Sequence, residues 1–145
     1  MKIFTRSYLL ALLSTFVVIA IGNAWFHGMF ADKFVADGIA AINAVPTSEQ
    51  RFPYLIFVWF LISFMTVYFT LRDLPQKNRV RHALLTGALV GLVADGTWNF
   101  VNASLVPSYS IAFALGDTTW HVLQGAAAGG IALKVYEWSS KRFGK

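Results

Sequence analysis

Four stretches of the chain are apolar enough, and long enough, to cross the roughly 30 Å hydrocarbon core of a bilayer as helices. They run from about Ser7 to Phe26, Pro53 to Leu71, His82 to Ala103 and Ser110 to Val135. The pattern predicts an all-α polytopic integral membrane protein, a single transmembrane domain over residues 1–145 built as a four-transmembrane-helix bundle. Met-Lys-Ile-Phe-Thr-Arg precedes the first stretch, and Gly22-Asn23-Ala24 resembles a signal-peptide cleavage site. The apolar run is long for that role, so it is read as a retained helix. Between spans one and two, Phe34, Gly38, Ala41 and Val45 fall on one helical face while Asp32, Lys33 and Asp37 are polar. That spacing predicts a short amphipathic helix over 30–45 in the first outer loop, lying at the interface. Pro46 ends it and Thr47 to Gln50 form a turn.

Lysine and arginine set the orientation. Lys2, Arg6, Arg72, Lys77, Arg79, Arg81, Lys134, Lys141, Arg142 and Lys145 fall on one side of the predicted spans, and only Lys33 and Arg51 on the other. Both termini are therefore expected in the cytoplasm. So strong a bias disfavours dual-topology insertion.

Composition agrees with a lipid environment. Charged residues make up 13% of the chain and hydrophobic ones 57%, whereas a soluble domain carries roughly 25% charged residues. The net charge of +5 and pI near 9.8 raise nucleic acid as a partner. The basic residues flank apolar runs and form no stripe, so membrane orientation accounts for them and no nucleic-acid partner is expected. With no cysteine, disulfides, thiolate nucleophiles and cysteine-ligated metals are excluded. No phosphate-binding glycine loop is present.

Two related motifs break the apolar pattern: Asp95-Gly-Thr-Trp98-Asn99 and Asp117-Thr-Thr-Trp120-His121. Spans three and four are joined by a short turn at Pro107 and should form an antiparallel hairpin. If the turn centres after Pro107, Asp95 faces Trp120 and Trp98 faces Asp117, each carboxyl meeting an indole N–H. The small-residue motifs Gly87-x-x-x-Gly91 and Gly125-x-x-x-Gly129 suit close helix approach in lipid. They match when Gly87 meets Gly129 and Gly91 meets Gly125, one residue from the register of the acid–indole pairs.

Helical spacing then gathers Asp95, Asn99 and Asn102 on span three and Asp117, Trp120, His121 and Gln124 on span four. Asn23, Trp25 and His27 join from span one. Span two is expected to supply lipid-facing and packing surface, and Tyr8, Tyr136 and Trp138 interfacial anchors. The polar stripes lie in the outer half and the glycines in the inner half, which predicts a pocket open outward, not a through-channel. Amides, Thr and Trp commonly serve as interhelical glue worth roughly 0.6 kcal/mol per contact. An ionised carboxylate in hydrocarbon is far costlier, so Asp95 and Asp117 are functional candidates. Asp117 can pair with His121 or share a proton with Asp95. His27 and His121 are the conceivable haem or metal ligands, but nothing in the sequence fixes their spacing, and neither cofactor nor metal is assigned.

The run from Gly87 to Ser104 resembles the domain of unknown function 2177 family, small bacterial predicted membrane proteins. Thr97, Trp98, Asn99, Asn102 and the Asp117-x-x-Trp120 motif carry the likeness. The resemblance implies the four-helix fold, a place in a bacterial cytoplasmic (inner) membrane and an outer polar cluster, but no activity. It places Asn99 where the family carries Asp, and Asp95 where the family carries an aromatic residue.

Three functions remain open. The first is a binding or transport protein whose pocket holds a small solute, proton or lipid headgroup. Asp95, Asn99, Asn102, Asp117, His121 and Gln124 would be its ligands or proton carriers, and Trp98, Trp120, Asn23, Trp25 and His27 its walls. The second is a non-catalytic accessory subunit of a larger membrane complex, and the third a small enzyme using an Asp/His pair. No serine is positioned beside His121, which fails the triad test. A homodimer or a partner subunit remains possible beside the bilayer itself.

Overall fold

The structure is a computed structural model that describes residues 5–30, 32–41 and 52–143, and every regular element among them is helical. α1 (Arg6–Trp25) runs directly into a π-helical turn, Phe26–Phe30. α2 (Asp32–Ala41) and α3 (Phe52–Arg72) come next. α4 (Arg79–Gly91) passes through a second π-helical turn, Leu92–Gly96, into α5 (Thr97–Leu105), and α6 (Ile111–Phe143) completes the chain. Three described helical stretches are long and apolar enough to cross a membrane: Arg6–Met29, Pro53–Arg72 and Arg79–Leu105.

α1 begins where the Thr5 hydroxyl accepts from the Tyr8 backbone N–H at 3.2 Å, satisfying one of the orphan donors of a helix start. α6, of 33 residues, is the axis against which α1, α3, α4 and α5 all pack. Five of its polar residues face inward: Asp117, Thr118, His121, Gln124 and Ser139 are all buried.

The α4–α6 contact is backbone on backbone. Methyl groups added at Gly87, Gly91 and Gly129 would overlap the carbonyls of Gly125, His121 and Ala83 respectively, and one at Gly125 the carbonyl of Gly87. Only residues without a Cβ allow that approach, which replaces side-chain interdigitation with dispersion between main chains.

Two apolar cores form at opposite ends of the bundle. At the end carrying the basic residues, Tyr8, Ala11, Leu12, Val67, Leu71, Ala83, Ala132 and Leu133 cluster. Arg6 over the Phe143 ring at 3.9 Å and an Arg79–Glu137 pair at 3.0 Å tie the helix ends there. At the other end Phe26, Tyr109, Phe113 and Ala114 pack together.

Tyr8, expected as an interfacial anchor, is instead fully buried with an edge contact to Phe64. Its spacing from Ala11, Leu12 and Thr15 places it on the face of α1 turned inward. Trp138 is exposed, whereas Tyr136 packs against the core.

α3 packs through half its length. Ser63, Thr66, Val67, Thr70 and Leu71 are buried, but no residue from Pro53 to Ile62 is. The Ser63 and Thr66 hydroxyls donate to Trp59 O at 2.6 Å and Ile62 O at 2.9 Å, so they enter the core already satisfied by their own helix.

In α2, Phe34 lies 5.0 Å from the Phe113 ring and Gly38 presses on the same ring. That face is thus held against α6. Val45, Pro46 and the turn from Thr47 to Gln50 lie outside the described residues.

Candidate functional site

Between the two apolar cores lies a layer of polar side chains that opens on a cavity of about 310 Å³. Its centre is Asp117 on α6. One carboxylate oxygen accepts from His27 Nε2 at 3.0 Å and the other from Asn99 Nδ2 at 2.8 Å. Asn99 is the most buried member, and its orientation is fixed by that bond: the amide NH₂ must face the carboxylate. Its second N–H reaches Thr118 Oγ1 at 3.2 Å, and its carbonyl accepts from the Tyr109 hydroxyl.

A parallel constraint fixes His121. The Ile19 carbonyl, an acceptor only, receives Asn23 Nδ2 and Gln124 Nε2, each at 2.9 Å. This turns the Gln124 oxygen toward Asn23 Nδ2 at 3.4 Å and the Asn23 oxygen toward His121 Nε2 at 3.1 Å. The other ring nitrogen, Nδ1, lies 2.9 Å from the Asp117 backbone carbonyl and 3.5 Å from its carboxylate. Asp95 Oδ1 stands 3.7 Å from Nε2. Both nitrogens therefore face acceptors alone, and a ring protonated on both satisfies every contact. One backbone carbonyl thus sets the direction of each bond along that chain.

Both π turns lie at this layer, and each sets a site residue on it: His27 on the first, Asp95 on the second. A π turn carries one residue more than the α turn it replaces, which re-aims the side chains downstream of it, and such turns recur at functional sites. Nothing in the sequence marks them.

The expected pairing of each carboxyl with an indole is not what the structure contains. Asp117 meets Asn99, and Asp95 stands nearest His121. These partners obey the glycine register, one residue away from the register centred on the turn. A single residue rotates a helix face by about 100°, so the residue four places after each Asp replaces the tryptophan three places after it. Trp120 stacks on Phe26 with centroids 4.6 Å apart, and its indole N–H has no partner among the described residues. It packs with Trp25, away from the cavity. Asn102 also stands apart, donating to Trp98 O at 2.9 Å. Asn23, His27, Asp95, Trp98, Asn99, Asp117, His121 and Gln124 do share the cavity lining, as do Gly91 and Gly125.

Sequence reasoning left out two contributors. Tyr109 sits beside the turn, where its hydroxyl completes Asn99. Leu55, Val58, Trp59 and Ile62 of α3, read as packing or lipid-facing, form the cavity's apolar wall. An apolar residue facing a cavity and one facing lipid have the same signature in sequence, so no signal distinguished them.

Ligand atoms of His27, Asp117 and His121 lie within 4.8 Å of one another, close enough to share a single metal ion. The lining contains no serine, threonine or cysteine among the described residues, so it offers no serine or threonine hydroxyl and no thiol as a nucleophile. The arrangement can bind a small molecule, exchange a proton between imidazole and carboxylate, or hold a cation.

Neither a curated protein nor a solved structure matches the chain. A family model does, over residues 8–134, a range that takes in every residue of the polar layer. The chain belongs to DUF2177, a family of predicted membrane proteins.

Proposed function

We propose that this protein is a four-span inner-membrane protein that binds a small solute in an intramembrane pocket open to the outer side, and carries or senses it. α6 serves as the fourth span. Its 33 residues extend about 50 Å, more than the hydrocarbon core requires. Its acid, histidine and amide are turned into the bundle, which removes their cost toward lipid. The basic residues gathered at the opposite end from the cavity support a cytoplasmic location for both termini. α2, carrying the exposed Lys33–Asp37 pair, then rests at the outer interface.

The carrying observation is the cavity's two-sided chemistry. A wall of carboxylates, imidazoles and amides faces an apolar wall from α3. Interhelical glue does not need a cavity beside it, and Asp95 faces that space without a hydrogen bond among the described residues. At about 310 Å³ the space lies at the small end of ligand pockets, which run from roughly 300 to 1,000 Å³.

The test is mass spectrometry of small molecules released on denaturing protein purified without harsh delipidation. The pocket reading expects a near-stoichiometric compound on the wild-type protein that is lost in Asp117→Leu. A stoichiometric protein partner with no small molecule in either sample would replace this reading with that of an accessory subunit.

A further inference from the structure

The geometry points to an organic cation as the pocket's ligand: an ammonium group bearing an apolar substituent, its charge on Asp95 and its substituent against α3. The inference rests on the pocket reading above and goes beyond it by naming the ligand's chemistry.

The first support is a count of hydrogen-bond valence. Both N–H bonds of Asn23 are directed at Ile19 O and the Gln124 oxygen, and both of Asn99 at Asp117 and Thr118. The Tyr109 hydroxyl is given to Asn99, and Gln124 Nε2 is turned to Ile19 O and packed against Gly22. His121 points both nitrogens at protein acceptors. The donors of Asn23, Asn99, Tyr109 and His121, and one N–H of Gln124, are thus spent on the protein. Asp95 is the opposite case. Its side chain is 28% exposed and lines the cavity; it takes no hydrogen bond among the described residues, and the His121 Nε2 it faces stands 3.7 Å away, beyond hydrogen-bonding distance. The unused valence is a carboxylate acceptor, so the complementary ligand brings the donors. A carboxylate or phosphate ligand would bring its negative charge beside Asp95, with the asparagine and phenol donors already engaged by the protein.

The second support is charge. The layer contains two carboxylates, Asp95 and Asp117, and two imidazoles, His27 and His121, and their pairing is unequal. Asp117 takes His27 Nε2, Asn99 and the edge of His121, which leaves Asp95 without a cation in hydrogen-bonding contact. Beside the apolar wall of the pocket, that unequal pairing attracts a positive ligand more strongly than it would in bulk solvent.

The third support is the opposite wall. Leu55, Val58 and Ile62 offer aliphatic surface, and Trp59 and Trp98 aromatic surface suited to a cation or its substituent. A hydrated metal ion would gain nothing from these five side chains.

The experiment compares three probes of similar shape, 2-phenylethylammonium, 2-phenylethanol and 3-phenylpropanoate. Binding to the full chain in lipid nanodiscs is measured by calorimetry, with empty nanodiscs subtracted. The ammonium probe should saturate the protein, and Asp95→Asn should weaken it by about tenfold or more, as expected for loss of a charge-assisted contact. Asp95→Glu, which keeps the charge, should retain most of the binding and serves if the Asn variant fails to fold. Equal binding of the alcohol or the carboxylate, or ammonium binding indifferent to Asp95→Asn, overturns the cation assignment while leaving a pocket in place. Binding of none of the three also overturns it. In that case Val58→Cys in this cysteine-free chain decides whether the pocket itself stands. Its labelling by a membrane-impermeant maleimide supports an open cavity, and its protection removes both readings.

Discussion

A single methyl group placed two helical turns before Asp95 should loosen the polar layer. In Gly87→Ala the new Cβ would collide with the Gly125 carbonyl, and Gly129 lies against Gly87 on the same face. Carbon and oxygen need about 3.5 Å between centres, so α4 must retreat from α6 by on the order of 1 Å. The helix moves as a rod, and the contacts of Gly91 with His121 and of Asn99 with Asp117 are carried outward with it. Asn99 Nδ2–Asp117 at 2.8 Å would then exceed hydrogen-bonding distance, and the 3.7 Å between Asp95 and His121 would widen further. Overpacking of this kind costs roughly 1–3 kcal/mol. Gly28 is the control, because a methyl there meets nothing within 4 Å. Replacing a helical glycine with alanine at such a position is worth up to about 1 kcal/mol of stability through backbone entropy. The two variants should therefore move the unfolding midpoint in opposite directions in a detergent denaturation series, and only Gly87→Ala should also weaken ligand binding. Equal midpoints for the two variants, or an unfolding loss at Gly87→Ala with binding untouched, would refute the rigid coupling between glycine contact and polar layer.

Other variants separate structural from functional side chains. Asp117→Asn should destabilise by about 1–3 kcal/mol, because either amide orientation sets its NH₂ against the donor of His27 or of Asn99; thermal unfolding in detergent measures this. Asp95→Asn, which loses no hydrogen bond, should stay within about 0.5 kcal/mol of wild type in the same assay. Tyr109→Phe leaves the buried Asn99 carbonyl without its donor and should cost about 1 kcal/mol. Trp120→Phe keeps the stack on Phe26 and gives up an indole N–H that bonds nothing among the described residues, so a change above roughly 1 kcal/mol would contradict the stacked role.

What the sequence made legible was set by periodicity and by cost. Long uncharged runs mark helices whatever their neighbours are, because backbone groups in lipid must bond within the segment. Carboxylates inside such runs stand out for the same energetic reason, and Asp95 and Asp117 do line one cavity. Partner identity was harder. Asp95-Trp120 and Asp95-His121 differ by one residue of register, and the turn at Pro107 constrains register less tightly than four glycines in backbone contact do. The two π turns were invisible, since their residues carry no composition cue, yet they are part of what sets His27 and Asp95 on the cavity. Tyr8 was misplaced because an aromatic near a helix end fits both an interfacial belt and a core.

The half-packed third helix divides responsibility within the pocket. On the proposed reading, recognition of charge belongs to α1, α4, α5, α6 and the π turns, whose polar side chains are hydrogen-bonded to one another. The dimensions of the proposed ligand would then be set by Leu55, Val58, Trp59 and Ile62, on a stretch of α3 with no buried residue. Enlarging or trimming those four positions should retune which substituents fit without disturbing the protons and charges opposite, so one scaffold can serve differently shaped ligands through changes confined to a single helix.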